Sequence, residues 1–464
     1  MKRHFSFGLA ALCVAAVATS FAAKPRIADL TVNENGNRIV KITYKLQDAP
    51  GVVTIDILTN SLADATGSWV SIGGENVMSS LTGVVGKLLP ESDEMRTIVW
   101  RPRQAWPGHM FKNGTAKVVL TAWAEDEPPT FMVVDLTNEV SRFTYYADKS
   151  FLPGGIGDRA YKTNKMLFRR IPAAGVTWKM GSPADEAQRT EAEDLHDVTL
   201  TEDYYLAVYP TTERQNAIVR IYHDAHKAEC GGGNWLWYWA EKGNYDGSGY
   251  DAETIEVCPY PVALYFNLRG KNDSLYNWPD NGHDVNPNGF FGTLRVMTGG
   301  EMLFDLPTEA QWEFAARGGT AGQTYYGKSY NYTWGLNTDN LDANIWWWGN
   351  STLENGTRFP HPVGTKTANA LDLYDMMGNV SESCLDQYVK SLGTEPATNP
   401  KGPATGAENP SRVYRSGCCC SEEHYARYVH RSAFREGVTQ VDNHFWGIRR
   451  FGFRVWAPAK AIAR

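Results

Sequence analysis

Three consecutive thiols, Cys418-Cys419-Cys420, followed by Ser421 and His424, are the side chains of this sequence best suited to chemistry. Adjacent residues on an extended strand point to opposite faces, so only Cys418 and Cys420 can converge on one ion, with His424 as a third ligand. Soft sulfur and imidazole donors suit copper or zinc. The competing expectation is structural: the thiols pack in the interior, or one of them bonds to Cys384. Two aromatic runs stand apart, Trp235-Leu236-Trp237-Tyr238-Trp239 and Trp346-Trp347-Trp348. Neighbouring rings cannot all face inward, so these runs offer either a groove for peptide or sugar or the bulky filling of a loop-rich core.

The chain that must position these groups has 464 residues, 42% hydrophobic and 21% charged, which is enough for two to four domains and a sizeable core. Its formal charge of -7, with no dense Lys/Arg stripe, argues against nucleic acid as a partner. Lys2-Arg3-His4, an apolar run from Phe5 to Ala18 and the small residues Thr19, Ser20, Ala22 and Ala23 have the order of a secretory signal peptide over 1–23. Export to the periplasm or the exterior is therefore expected. The run is too short to span a bilayer, and no later stretch of about 18 apolar residues follows, so the mature protein is expected to be soluble. Cys13 follows Leu12 rather than a small residue, which argues against a lipid anchor. The remaining cysteines, Cys230, Cys258, Cys384 and Cys418 to Cys420, would meet an oxidising compartment, where Cys230 and Cys258 make a plausible disulfide.

Period-two alternation at Val40, Ile42, Tyr44 and Leu46, at Val53, Ile55 and Ile57, and at Val119, Thr121 and Trp123 predicts strands. With turn-rich pieces between them and no helical stretch, residues 24–126 read as an all-β sandwich of immunoglobulin or fibronectin type, serving as a spacer or adhesion module. Glu125-Asp126-Glu127-Pro128-Pro129 marks a boundary, 127–165 reads as a linker and lead-in, and 166–464 as the second domain. There the clearest helix starts at Leu306-Pro307-Thr308, with Thr308 as N-cap, Gln311 as its capping-box partner and Gly318 as the terminator. Residues 261–270 suggest a second helix.

Six segments in order carry a family resemblance: Gly175-Val176-Thr177-Trp178-Lys179-Met180-Gly181-Ser182, His196-Asp197-Val198-Thr199-Leu200 with Pro210-Thr211-Thr212, Leu306 to Gly319, Asn344-Ile345-Trp346, Asp372 to Val380, and Gly452-Phe453-Arg454-Val455. From about Ala173 to Pro458 the chain resembles the formylglycine-generating (sulfatase-modifying factor) family. The resemblance implies an α+β, C-type-lectin-like fold poor in regular secondary structure. It also implies structural calcium, with Asn344 and Ile345 at one site and Gly378, Asn379, Val380 and Glu382 at the other. Hard oxygen donors from irregular loops suit that ion. Both tryptophans of the family's second calcium loop are replaced, by Ser381 and Ser383, and the plain alternative is a tight Gly-Asn turn with a solvated Glu382.

Active relatives bind copper through two cysteines with four residues between them and oxidise a sulfatase cysteine to formylglycine. Aligning Gly417 with the family's second glycine puts Cys418 at a serine, Ser421 at the first thiolate position and Ala426 at the second. No two cysteines here have that spacing, so copper and oxidase activity would require a substitute site at Cys418, Cys420 and Ser421. The related iron-dependent sulfoxide synthases need a histidine-rich stretch that this sequence lacks. The expectation is an exported, divergent module that binds protein, peptide or glycan, with a copper- and oxygen-dependent oxidase acting on a sulfatase as the alternative. The mixture from Cys418 to Trp446 ahead of Gly452-Phe453-Arg454 also resembles the hypervariable end of diversity-generating-retroelement proteins, which bind ligands on this same fold.

Overall fold

The computed structural model describes residues 23–460, apart from 36, 61–67, 110–114, 140–141, 185, 187–188, 235–255, 260–264, 271–275, 320–341, 353–355, 357, 404–410, 420–432 and 440–450. The alternation read from the sequence becomes strands: β1 (Arg26–Asn35), β2 (Ile39–Gln47), β3 (Gly51–Asn60), β4 (Trp69–Ser71), β5 (Leu81–Gly83), β6 (Leu88–Leu89), β7 (Ser92–Trp100) and β8 (Ala116–Ala124). They form one sheet in the order β1-β2-β7-β5 and a second in the order β4-β3-β6, with β8 also paired to β3. Ile42, Tyr44 and Leu46 of the first sheet meet Val53, Ile55 and Ile57 of the second in one core, as period two requires. Two short helices, Gly74–Met78 and Pro102–Ala105, interrupt a region expected to hold strands alone.

Residues 127–165 are not a linker. They supply β9 (Phe131–Asp135) and β10 (Phe143–Tyr146), which pair with each other, and β9 pairs with β11 (Lys165–Ile171). After β12 (Val176–Met180) and β13 (His196–Leu200) come β14 (Tyr204–Ala207) and, near the chain's end, β20 (Trp456–Pro458), completing a sheet of order β10-β9-β11-β14-β20. Phe131 and Val133 face one core and Met132 and Val134 the other, so β9 is buried on both faces. The fold is therefore β-rich throughout, with helices Glu213–Ala225, Phe290–Met297 and Glu309–Ala316 packed against the sheets. Of the second expected helix, the described part runs Tyr265–Arg269.

A last sheet, in the order β18-β17-β15-β19, is built from β15 (Ser381–Gln387), β17 (Ser411–Arg415), β18 (Arg435–Thr439) and β19 (Phe451–Gly452); β16 (Ala397–Thr398) joins β13 elsewhere. It gathers the Gly378 turn, the cysteine run and the closing Gly452-Phe453-Arg454 into one region.

Candidate functional site

The helix Glu309–Ala316 organises this region. Thr308 Oγ1 accepts from Gln311 N at 3.2 Å and Gln311 Oε1 accepts from Thr308 N at 2.9 Å, the capping box read from the sequence. Asp386 on β15 adds a further cap, its Oδ2 accepting from Glu309 N at 2.7 Å. Burial pushes the Asp386 carboxyl up to about 7, with repulsion from Glu309 adding to the effect.

The helix presents Glu309 and Glu313 to three buried arginines. Arg415 donates to Glu309 Oε1 at 2.9 Å and also binds Glu313, Arg435 donates to Glu309 Oε2 at 2.8 Å, and Arg317 donates to Glu313 Oε1 at 2.8 Å. Burial opposes ionisation of Glu309, yet Arg435 and Arg415 hold its carboxyl below the usual range. Arg415 and Arg435 are cross-strand neighbours in the β17–β18 pairing. Two like charges in that relation repel, and Glu309, bound by both, offsets the repulsion where the β17–β18 ladder brings the two ends of the 416–434 connection together.

Past Arg415 the chain turns through Ser416 and Gly417, with φ of 83° and 74°. Ser416 Oγ donates to Gly378 O at 3.3 Å, Cys419 N to Asn379 O at 3.1 Å, and Ser351 Oγ to Cys419 O at 2.7 Å. Cys418 and Cys419 are fully buried. The cysteine run and the Gly378-Asn379 turn, separate in sequence, thus form one hydrogen-bonded unit. Cys420, Ser421, His424 and Ala426 lie outside the described residues.

The oxygen donors expected for calcium are largely engaged. Glu382 is fully buried, and its Oε1 and Oε2 take 2.8 and 3.0 Å hydrogen bonds from Arg454, with a third at 2.7 Å from Trp312 Nε1. It is neither solvated nor open to a cation. Asn379 pairs its amide with the backbone of His361 at 2.8 and 3.0 Å, and Ile345 O accepts from Asn350 Nδ2 at 3.0 Å. Asn344 stands half-buried next to Ile345, and Val380 is buried beside Asn379. The carboxylate that sequence reasoning misses is Asp375, three residues before Gly378. It is enclosed, takes a 2.7 Å bond from Gly364 N, and among the described residues makes no salt bridge; burial pushes its carboxyl up to about 6. Its φ of 54° marks the same tight turn. Asp375 Oδ1 also lies 3.5 Å from Asn379 Nδ2, which places it in the same turn, while the Gly378 and Asn379 carbonyls already accept from Ser416 Oγ and Cys419 N.

Copper does not fit the aligned positions. Ser421 and Ala426 offer a hydroxyl and a methyl, and among the described residues no cluster of three or more His, Cys, Asp or Glu side chains could hold a metal. Of the disulfide expectations, a bond from Cys384 to Cys420 lies outside the described residues. Cys230 and Cys258 are not bonded to each other, nor is Cys384 bonded to Cys418 or Cys419. Cys230 hydrogen-bonds to Thr293, and burial pushes the Cys384 thiol well above its ordinary value.

Trp346 stacks on His361 at 3.7 Å between ring centres, and Lys366 Nζ sits 3.9 Å from its ring centre. Arg358 sits 4.0 Å from the ring centre of Trp348, and Trp347 Nε1 donates to Asp342 at 2.7 Å. The rings of Trp346 and Trp348 are thus faced by the chain's own residues rather than left as an open groove. The Trp235 to Trp239 run lies outside the described residues.

Comparison with known proteins bears on residues 163–457, which match the family model of the sulfatase-modifying factor enzyme 1-like domain. The formylglycine-generating enzyme of Streptomyces coelicolor is 37% identical over 134 residues, 26% of this chain and 38% of that protein. Chaperone protein LppX of Paenibacillus barcinonensis is 27% identical over 215 residues, 41% of this chain and 64% of that protein. In each case the match spans less than two thirds of the relative's length. Among solved structures, Treponema denticola variable protein 1 aligns at a TM-score of 0.41 and 20% identity, covering 63% of this chain and 95% of that one.

Proposed function

The chain belongs to the sulfatase-modifying factor enzyme 1-like family, and from that premise we propose that it acts as an exported binding module, for protein or glycan, on a scaffold whose oxidase site is gone. The observation that carries this reading is the state of the cysteine run. Cys418 and Cys419 are fully buried, and the run is tied by backbone bonds to the Asn379 turn and to Ser351. A copper oxidase needs two convergent thiolates with an open position for a substrate thiol. Buried thiols held in a tied turn support packing instead.

Glu309 gives the binding reading its mechanical basis, because it offsets the repulsion between Arg415 and Arg435 where the two ends of the 416–434 connection meet. The resemblance of the Cys418 to Trp446 mixture to retroelement-encoded variable proteins suggests that this stretch carries the ligand contact. Calcium enters this proposal as a structural ion at Asp375, a buried carboxylate without a salt bridge among the described residues, where it would brace the turn to which Cys419 is bonded. For residues 24–126 the reading is an immunoglobulin-type spacer, supported by the two sheets that share one core.

The deciding experiment is anaerobic Cu(I) titration of the mature chain, with and without a peptide carrying Cys-x-Pro-x-Arg, followed by admission of dioxygen to the copper-loaded sample. The module reading expects no stoichiometric copper and no formylglycine by mass spectrometry. Copper-dependent formylglycine that is lost in Cys418→Ser and Cys420→Ser, and retained in Cys419→Ser, would overturn it in favour of the oxidase.

A further inference from the structure

One flank of the N-terminal sandwich is formed by β1, at an end of the first sheet, and β8, which lies alone on its side of β3 in the second. β8 pairs with β3 in an unbroken register from Ala116 to Ala124 and, among the described strands, has no neighbour on its other side. Asn60 N donates to Thr115 O at 3.0 Å, which makes those two residues a hydrogen-bonded pair one step beyond the ladder and in the same register. Alternation then turns the N–H and C=O groups of Lys117, Val119 and Thr121 toward β3, and those of Val118, Leu120 and Ala122 outward. None of the nine residues of β8 is buried.

Across from this free edge the first sheet is left uncovered. Val32 pairs with Ile42, which is fully buried in the sandwich core, so the Val32 side chain is on the face turned toward the second sheet. It is nevertheless 46% exposed, and Leu30, two positions back along β1, is 42% exposed. β1 and β8 lie in contact across the sandwich, and Val118, Leu120 and Ala122 pack only partly against the same core. The flank thus joins an open apolar face to a row of unpaired backbone donors and acceptors, which an extended backbone about 4.8 Å away satisfies. β1 is closed to such pairing: its ladder is broken between Ala28 and Thr31, where Asp29 has a φ of 51° and binds Lys45 at 2.7 Å. β8 has no bulge, no proline and a single charge, Lys117.

We propose that this flank accepts one extended strand from a partner protein, which pairs with the outward edge of β8 and covers Val32 with alternate apolar side chains. In such strand addition the main-chain bonds give affinity and the alternating side chains give register. Lys117 is on the opposite face of β8 from Val118 and Leu120, where it selects a carboxylate on the polar face of the incoming strand. A second copy of this chain fits less well, because β8 carries no carboxylate to set against Lys117. The site goes beyond the spacer reading of residues 24–126 and uses none of the residues from 344 to 454, so either proposal can fail without the other.

The test uses the mature full-length chain and a fluorescent peptide of about eight residues that alternates valine with threonine, one threonine being replaced by glutamate, with binding followed by anisotropy. This peptide is expected to bind, and one of the same composition with its valines grouped together to bind at least about tenfold more weakly. Val32→Asp, which sets a charge against the incoming apolar face, should weaken binding by about tenfold. Lys117→Glu should weaken it as well, and a peptide with lysine in place of the glutamate should restore it. Val118→Pro removes an outward N–H and should abolish binding while the domain stays folded, as checked by circular dichroism. If that variant unfolds, Val32→Asp and the Lys117 charge exchange decide. The proposal is overturned if the alternating peptide does not bind, or if Val32→Asp and the charge exchange leave its binding unchanged. Self-association of the wild-type chain that Val118→Pro abolishes also overturns it, in favour of a second copy.

Discussion

Glu382 shows how far a residue's role can depart from its motif. The family resemblance implies a calcium ligand, with a solvated charge beside a tight turn as the plain alternative, yet Glu382 is enclosed and bound by Arg454 and Trp312. Breaking a buried pair by removing one partner typically costs about 3–5 kcal/mol, so Glu382→Ala should lose stability of that order in denaturant titrations, by the same amount with calcium or with chelator. Asp375→Asn should instead abolish any calcium-dependent rise in melting temperature, a gain of about 2.7 kcal/mol when calcium exceeds its dissociation constant a hundredfold. If the Asp375 variant responds to calcium as the wild type does, the ion is not held there. Asp386 yields a pH prediction. Its folded value, about 7, lies above the roughly 3.9 of an unfolded aspartate. Its contribution to stability is therefore fully present below about 4, where the carboxyl is protonated in both states, and it is lost as pH rises from there through 7, the range over which folding takes up a proton. Asp386→Asn, which keeps an acceptor for Glu309 N, should gain on the wild type between pH 5 and pH 8. A difference in melting temperature that stays flat over that range would count against the raised carboxyl. None of these partnerships was legible in sequence, because Glu382 and Arg454, or Asp375 and Gly364, meet only once the sheets are assembled.

At the scale of elements, the Glu309–Ala316 helix was readable because its signals are local: a capping residue, a partner three positions on and a terminating glycine. Thr308→Ala should cost about 1 kcal/mol, the usual loss of such a cap. What the sequence could not show is that the first residue of this helix fastens β17 to β18 through Arg415 and Arg435. Glu309→Gln should therefore do more than destabilise. It should loosen the start of the 416–434 connection and speed the reaction of Cys418 and Cys419 with a thiol reagent under native conditions, whereas Thr308→Ala should leave that rate close to wild type. Equal rates in the two variants would reduce Glu309 to an ordinary core charge. The strands β9 and β10 escape sequence reading for a different reason. Phe131-Met132-Val133-Val134 is apolar without alternation, as expected of a strand covered on both faces, and the nearby prolines and glycines suggest a linker.

For the whole molecule, the consequence is that the N-terminal strands are docked rather than tethered. Gly86 N donates to Val53 O and Gly86 O accepts from Tyr145 N, both at 2.7 Å, so the first domain covers the outer edge of the central sheet at β10. An uncovered edge strand is open to pairing with other chains, which makes this contact protective. Met78 packs against both the N-terminal core and the core beneath the Glu309 helix. Gly74 brings its backbone so close that an added Cβ would sit 2.2 Å from Ser150 O and from the Phe151 Cα. The sequence alone suggests a protease-sensitive joint between residues 125 and 155; with β9 and β10 inside the sheet, that stretch should resist limited proteolysis. Gly74→Val gives the sharpest check, because backbone atoms at Ser150 and Phe151 cannot yield as a flexible side chain would. The wild-type chain should unfold in one thermal transition, while the variant should show two and become cleavable between 125 and 155. If Gly74→Val melts in a single transition at the wild-type temperature, the two domains do not depend on this contact, and the edge of the central sheet must be protected by some other means.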